Sequence, residues 1–348
     1  PADLIEEIAR IYGYDRFPTT MLSDALPPQR TNRTLLVEER IKDLLVTAGL
    51  QEIVTYRLTT PEREAHVLPP DVPRDDRPYV TLSNPISMER VAMRHSLLAS
   101  VMEIVADNAR FRERIALFEV GKIFIPSQDE AAALPDEFRR LVIALTGPRE
   151  LPGWQGRADT EPMDFYDLKG VVERLLEGLH VEQVVYQPAE HPSYYPGRVA
   201  EVLLNDMPLG LLGQLHPLVC EAYGLNDYPL LAADLDVEQL QTAARLAHTV
   251  ASVSRYPAVL QDIAVVVDED VPAAEVRDVI MGAGKLLREV RLFDVYRGEQ
   301  VGAGKKSLAY SLTFQADDRT LGDKDVNKLR RKIVRRLKDE LDAKLRDQ

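Results

Sequence analysis

The last hundred residues carry an order of elements that few folds can accommodate. Val259–Val267 is a run of strand formers, and Pro272–Gly282 reads as a helix with proline in its first turn. Leu286–Tyr296 and Lys305–Gln315 read as two strands joined by the turn Gly298…Gly302-Ala303-Gly304. Asp323–Lys338 has the spacing of an amphipathic helix, and Ala343–Arg346 can supply a short last strand. From about Ser252 the order is therefore β-α-β-β-α-β, the split βαβ arrangement of ferredoxin-like domains.

The whole chain has 348 residues, which at ~150 per domain suggests two or three domains. A helix is expected over 3–14, with Leu4, Ile5, Ile8 and Ile11 at helical spacing, then a turn-rich connector from Pro18 to Arg30 broken at Pro27-Pro28. A second helix is expected over 34–48, with Val37, Ile41, Leu44 and Ala48 on one face, and a strand over 51–58. Further on, helices fit 95–109 and 166–179, and strands fit 115–125, 141–146, 199–204 and 209–215. The last two flank a hairpin turn at Asn205–Pro208. Strand 115–125 is apolar on both faces, so a central, doubly covered position is expected. Hairpin-linked neighbours point to an antiparallel-rich α+β sheet. Val237–Leu246 reads as a charged helix leading into the last domain.

A single cysteine, Cys220, excludes an internal disulfide framework. The longest apolar runs, such as Ile263–Val267, fall short of the ~20 residues of a membrane span, so no membrane association is expected. The start at Pro1 lacks an apolar signal core and an initiator Met and opens inside a helical pattern, so we expect a fragment of a longer chain that is not exported. The net charge of −13 argues against a generic polyanion binder. It is unevenly spread, however, because residues 252–348 hold 19 Lys and Arg against 17 Asp and Glu. Any nucleic-acid contact is thus expected at the C-terminal end.

Ten local strings then fall in order. They are Asp3–Tyr14 (DLIEEIARIYGY), Asn84-Pro-Ile86, Arg94-His-Ser-Leu-Leu98, Leu117-Phe-Glu-Val-Gly121 and Asp164–Gly170 (DFYDLKG). Gly210–Pro217 (GLLGQLHP), Tyr256–Ala264, Leu292–Gly298, Lys306–Ala309 and Arg319-Thr-Leu321 follow. Together the chain resembles the C-terminal part of the bacterial phenylalanyl-tRNA synthetase β subunit. The resemblance implies a layout: residues 1–20 as the tail of a DNA-binding-like B5 domain, 21–31 as linker, 32–236 as a catalytically silent class II synthetase-like domain, 237–251 as a linker helix, and 252–348 as a ferredoxin-fold anticodon-binding domain. It further implies a cytoplasmic α2β2 ligase for phenylalanine and tRNA-Phe, with ATP and the catalytic Mg²⁺ on the α subunit. The family's editing domain lies upstream, so proofreading is not expected here. Two departures stand out: Gln261 where many relatives have Arg, and Asp339-Glu340 where relatives often have Gly before the last strand.

The central domain offers no catalytic constellation. Amino-acid activation by a class II ligase needs arginine forks around the phosphates. Leu117–Gly121 carries no Arg at the expected place, Gly210–His216 runs into His-Pro, and no phosphate loop is present. His191, His216 and Cys220 fit no zinc spacing and read as structural. Asp3, Glu6 and Glu7 lie at i, i+3 and i+4, so three carboxylates share a helix face. Two readings stand: ligands for a hard divalent cation, or acids placed in a first turn by the helix dipole. The resemblance implies the first, a Mg²⁺ site with a further ligand upstream.

In the last domain, period-2 alternation places Leu292, Asp294 and Tyr296 on one face of their strand and Phe293 and Val295 on the other, beneath the helices. Asp294 and Tyr296 would stand on the open sheet beside Ser307. A carboxylate reads guanine's N1/N2 donors and an aromatic ring stacks a splayed base. The resemblance implies that Asp294, Tyr296 and Ser307 contact an anticodon base; Lys305, Lys306 and Arg319 are further candidate tRNA contacts. The alternative is a polar face meeting only water. Around the buried stripe of the last helix, Lys328, Arg330, Arg331, Lys332, Arg335, Arg336 and Lys338 form a basic run. Lys332 and Arg336 are its candidate phosphate contacts, and a solvated face is the competing reading. Two rival functions remain: an autonomous ATP-dependent ligase, and a ferredoxin-like regulatory module without RNA.

Overall fold

A computed structural model describes residues 1–346 except 22, 24, 26, 27, 29, 128–133, 226, 248, 249 and 251. Pro27, half of the breaker expected in the connector, lies outside the described residues. The chain divides into two compact units, Pro1–His248 and Thr249–Gln348.

The first unit begins with α1 (Ala2–Tyr12), stopped at Gly13, and α2 (Arg33–Thr47), capped by Asn32. Short pieces follow: β1 (Gln51–Glu52), β2 (Leu58–Thr59), α3 (Pro61–Glu64) and β3 (Ala92–Met93). Next are α4 (Leu97–Ala109), β4 (Ile115–Ile125), β5 (Asp136–Thr146) and α5 (Phe165–Gly178), the last closed by an Asp164/Asp167 capping box. The unit ends with β6 (Val184–Pro188), β7 (Tyr194–Leu204), β8 (Met207–Leu215), α6 (Pro217–Ala222), β9 (Leu230–Asp236) and α7 (Val237–Ala243). Seven strands form one sheet in the order β1-β4-β5-β9-β8-β7-β6. All its pairs are antiparallel except β1 with β4.

Helices cover both faces. One core gathers α2 (Val37, Ile41, Leu45), α5 (Leu168, Val172) and α7 (Leu240) on the sheet. The other gathers α4 (Leu97, Val101, Met102) and α6 (Val219) on the opposite face. Several expectations need correction. The strand expected over 51–58 is two short strands separated by irregular chain, because Thr55 and the carbonyls of Tyr56 and Arg57 turn to Arg94, a buried charge described below. Strand 115–125 is covered on both faces but lies next to the edge, and β9 takes the middle of the sheet. The helix expected to link the domains belongs to the first unit, since Val237 and Leu240 are fully buried in its core. On α1, Leu4, Ile5, Ile8 and Ile11 are exposed and only Ala9 is buried.

Two glycines of β8 have a packing reason. A Cβ on Gly210 would lie 2.1 Å from the Asp234 carbonyl of β9, and one on Gly213 would lie 2.4 Å from the Arg198 carbonyl of β7. Flanking backbones therefore close on this strand, and its glycines serve sheet pairing.

The second unit contains β10 (Val259–Asp268), α8 (Ala273–Met281), β11 (Leu287–Tyr296), β12 (Lys305–Phe314), α9 (Asp323–Leu341) and β13 (Lys344–Leu345). The sheet order is β11-β12-β10-β13, with every pair antiparallel. Leu308, Tyr310, Leu312 and Phe314 of β12 face a core closed by Val276 and Ile280 of α8 and Ile333 and Leu337 of α9. The short last strand forms without a glycine, because Asp342 takes the left-handed conformation (φ 47°) that ends α9.

Candidate functional site

The open face of the second unit's sheet carries the predicted base-reading residues. Register pairs Tyr296 with Ser307 and Asp294 with Ala309, and pairs Ser307 with Val266 and Ala309 with Ala264. Asp294, Tyr296 and Ser307 therefore share one face, opposite the core-facing Leu308 and Tyr310. Simple alternation fails one step earlier. A bulge between Leu292 and Asp294 inserts Phe293, so Leu292 pairs with Tyr310 on the helix side. Phe293 (55% exposed) and Val295 (39%) are not buried beneath the helices, because β11 is the edge strand and only its start, Leu287, is buried against them.

Exposure on that face also differs from expectation. Asp294 is exposed, Tyr296 is half-buried, and Ser307 is 3% exposed. The guanidinium carbon of Arg346 lies 4.7 Å from the Tyr296 ring centroid. Arg346 Nη2 donates to Gln300 Oε1 at 2.7 Å. Lys305 pairs with Asp268, which raises its pKa through that hydrogen bond. Lys306 is buried, on the helix side of β12, and its ammonium donates to the Glu269 carbonyl at 2.7 Å, so it is not presented as a surface cation.

The other predicted cations lie elsewhere. Ser307, near the start of β12, and Phe314, at its end, are about 24 Å apart at ~3.4 Å per residue, and Arg319 follows beyond Phe314. Arg319 and Lys332 line an open groove of about 940 Å³ with Lys324, Lys328, Arg331 and Arg335. Arg319 is 3.3 Å from Asp318 and 4.0 Å from Asp325, and Lys332 donates to the Ala283 carbonyl. Arg336 is bound to Glu340 at 2.7 Å. The eight predicted tRNA contacts thus fall into two groups, one on or beside the open sheet and one on the helix layer.

In the first unit, two of the quoted strings meet. Arg94, 1% exposed at its side chain, pairs with Glu119 at 3.2 Å. Its Nε donates to the Lys122 carbonyl at 2.8 Å and its Nη1 to Thr55 Oγ1 at 2.6 Å, while Thr55 donates to Glu119 at 2.7 Å. Gly121 leaves the room, since a Cβ there would sit 2.4 Å from Arg94 Nη2. Nearby, Glu64 accepts from the backbone N–H groups of His95 and Ser96 and from Tyr79, so a buried carboxylate closes the N-terminus of α4. Burial raises the Glu64 pKa despite these donors. Arg140 is held by Asp234 at 2.7 Å, beside a cavity of about 330 Å³ also lined by His95, His191 and Tyr194. Arg94 and Arg140 are therefore neutralised by the chain's own carboxylates.

The remaining candidates have structural roles. His191 Nδ1 accepts from Ser193 N–H, and His216 Nδ1 accepts from Leu218 N–H to cap α6. Burial pushes the Cys220 thiol up to about 11. Asp3, Glu6 and Glu7 lie on exposed α1, and Glu7 is turned to Arg10 at 2.6 Å. Among the described residues no three His, Cys, Asp or Glu side chains are grouped to hold a metal ion. The donor types suit Mg²⁺, but their placement does not fit it.

Comparison with known proteins follows the same division. Residues 17–237 match the family model "Phenylalanyl tRNA synthetase beta chain CLM domain", and residues 254–346 match "Ferredoxin-fold anticodon binding domain". The chain belongs to the phenylalanyl-tRNA synthetase β-chain family. It is 37% identical over 351 residues to the phenylalanine–tRNA ligase β subunit of Clostridium tetani, and 39% identical over 352 residues to that of Syntrophotalea carbinolica. Each match covers 99% of this chain and 42% of the relative, so the chain spans less than half the length of the curated relatives it matches. A solved pyrrolysyl-tRNA synthetase from Desulfitobacterium hafniense is similar at a TM-score of 0.45 and 18% identity, over 60% of this chain and 67% of that one. No helix among the described residues is long and apolar enough to cross a membrane.

The expected α+β architecture and the ferredoxin-fold anticodon-binding domain are present. Sequence reasoning missed Arg346, which meets Tyr296 only through strand pairing, and Gln300, which accepts from Arg346. It also missed Thr55, whose place beside Arg94 depends on the chain path between β1 and β2.

Proposed function

We propose that this chain is the non-catalytic, tRNA-binding part of a phenylalanine–tRNA ligase β subunit. In this reading it supports an α subunit that activates phenylalanine with ATP and Mg²⁺, in a cytoplasmic α2β2 assembly. The observation that carries the reading is the match of residues 254–346 to an anticodon-binding domain, on a sheet that presents Asp294 exposed beside Tyr296. Asp294 accepts hydrogen bonds from the edge of an unpaired base, Tyr296 offers a stacking surface, and the groove around Arg331 and Arg335 attracts phosphate. Silence of the first unit is supported by Arg94 and Arg140, whose guanidinium groups are already bound to Glu119 and Asp234. In this reading the catalytic Mg²⁺ belongs to the α subunit; Asp3, Glu6 and Glu7 share a face of α1 without closing around a single point.

One observation favours a second reading, a ferredoxin-fold module without an RNA role: Ser307 is buried and Arg346 covers Tyr296. Pull-down with this chain as bait separates the two. The ligase reading expects both the α subunit and tRNA-Phe to be retained, with no phenylalanine-dependent pyrophosphate exchange until the α subunit is added. Exchange by the chain alone, or retention of neither partner, would overturn it.

A further inference from the structure

Tyr296 and Arg346 belong to opposite margins of the four-stranded sheet. Tyr296 ends β11 and Arg346 follows β13, with β12 and β10 between them. Three strand spacings of ~4.8 Å put their backbones about 14 Å apart, yet guanidinium and ring meet at 4.7 Å. Both side chains therefore reach inward across the middle strands. The strand row beside them is made of small side chains, Ala309 paired with Ala264, and Asp294 stands exposed opposite Ala309. Arg346 is anchored through its backbone N–H to the Ala264 carbonyl at 2.9 Å, and its tip is steadied by Gln300.

A phenol ring and a guanidinium are both flat groups on which an unpaired base stacks. Resting on the tRNA reading of this face, we propose that Arg346 is the second jaw of a clamp. The base enters between the Tyr296 ring and the Arg346 guanidinium, with Asp294 at its edge. A base needs roughly 3.5–4 Å to each flat neighbour, so the jaws must part from 4.7 Å to roughly 7–8 Å. Arg346 can move that far by side-chain rotation alone, giving up its bond to Gln300 while β13 stays paired. An exposed cation–π contact is weaker than a base–aromatic stack, so the exchange favours the base. Lysine could not serve, because an ammonium has the charge without the plane.

The test uses the complete β subunit assembled with its α subunit, carrying Arg346→Ala, Arg346→Lys, Gln300→Ala or Tyr296→Ala. Each is titrated with tRNA-Phe and with an anticodon-changed tRNA at two salt concentrations, after thermal melting confirms the fold. Arg346→Ala and Arg346→Lys should both weaken tRNA-Phe about five- to tenfold and the changed tRNA by no more than about twofold. Arg346→Lys should keep the parent's salt dependence. Gln300→Ala removes only the bond exchanged on opening, so tRNA-Phe should bind as to the parent or up to about twofold tighter. Full rescue by Lys, or a loss with Gln300→Ala, would overturn the clamp. So would parental binding by Arg346→Ala while Tyr296→Ala is weakened, although the face would then remain the tRNA site. If Tyr296→Ala also binds like the parent, the tRNA reading of this face fails with it.

Discussion

Glu119→Gln should be among the most destabilising isosteric changes in the first unit. The substitution keeps the shape and removes the charge. Arg94 would then be a cation with 1% of its side chain exposed and no paired carboxylate. Its hydrogen bonds to the Lys122 carbonyl and Thr55 hold it in place and prevent a swing out to solvent. Removing one partner of a buried pair costs about 3–5 kcal/mol. In a unit of this size each kcal/mol lowers Tm by about 2–4 °C, so the drop should be about 6–20 °C. Calorimetry on parent and variant reads it directly. The double variant Arg94→Met/Glu119→Leu removes both charges and should recover part of the loss, though the Lys122 carbonyl stays unpaired at about 1–3 kcal/mol. A drop below about 2 °C for Glu119→Gln, or a double variant no better than the single, would refute the assignment of Glu119 as the counter-charge.

Gly121→Ala places a Cβ 2.4 Å from Arg94 Nη2 and 2.9 Å from Glu119 Oε1, so urea unfolding should show a loss of about 1–3 kcal/mol. Burial holds Cys220 protonated, with its pKa raised from 9.0 to about 11. Its contribution to stability is therefore fully present below pH 9 and lost as pH rises through about 11. Iodoacetamide at pH 8 should leave the native thiol largely unmodified and label it quickly in urea. Equal labelling rates would show that the thiol is accessible.

Most of the second unit's elements were legible because they are long, periodic and bounded by glycine, proline or an acidic first turn; only β13 is short. Its site was legible only in part. Alternation placed Asp294 and Tyr296 together, but the bulge at Phe293 is a pairing defect with no local signature, so Leu292 and Phe293 were misplaced. Arg346 meets Tyr296, distant in the chain, only because β13 pairs with β10. In the first unit, β9 was missed because its apolar stretch Leu230–Ala233 is short and is followed by Asp234 and Asp236, and so short a run does not distinguish strand from loop or helix. The residues 51–58 alternate like a strand, yet Thr55 is taken from the ladder to serve Arg94 and Glu119. The three carboxylates of α1 share a helix face as expected, but Glu7 is turned to Arg10, an i+3 partner that competes with any metal.

The central claim, that the open sheet face of the second unit reads an anticodon base, is tested most directly through Asp294. The measurement is the dissociation constant of an anticodon-changed tRNA divided by that of tRNA-Phe, compared between parent and Asp294→Ala. A hydrogen bond to a charged group contributes about 1.5–3 kcal/mol, so the ratio should fall by about tenfold or more. A parental ratio in Asp294→Ala, with both tRNAs bound as before, would contradict the claim.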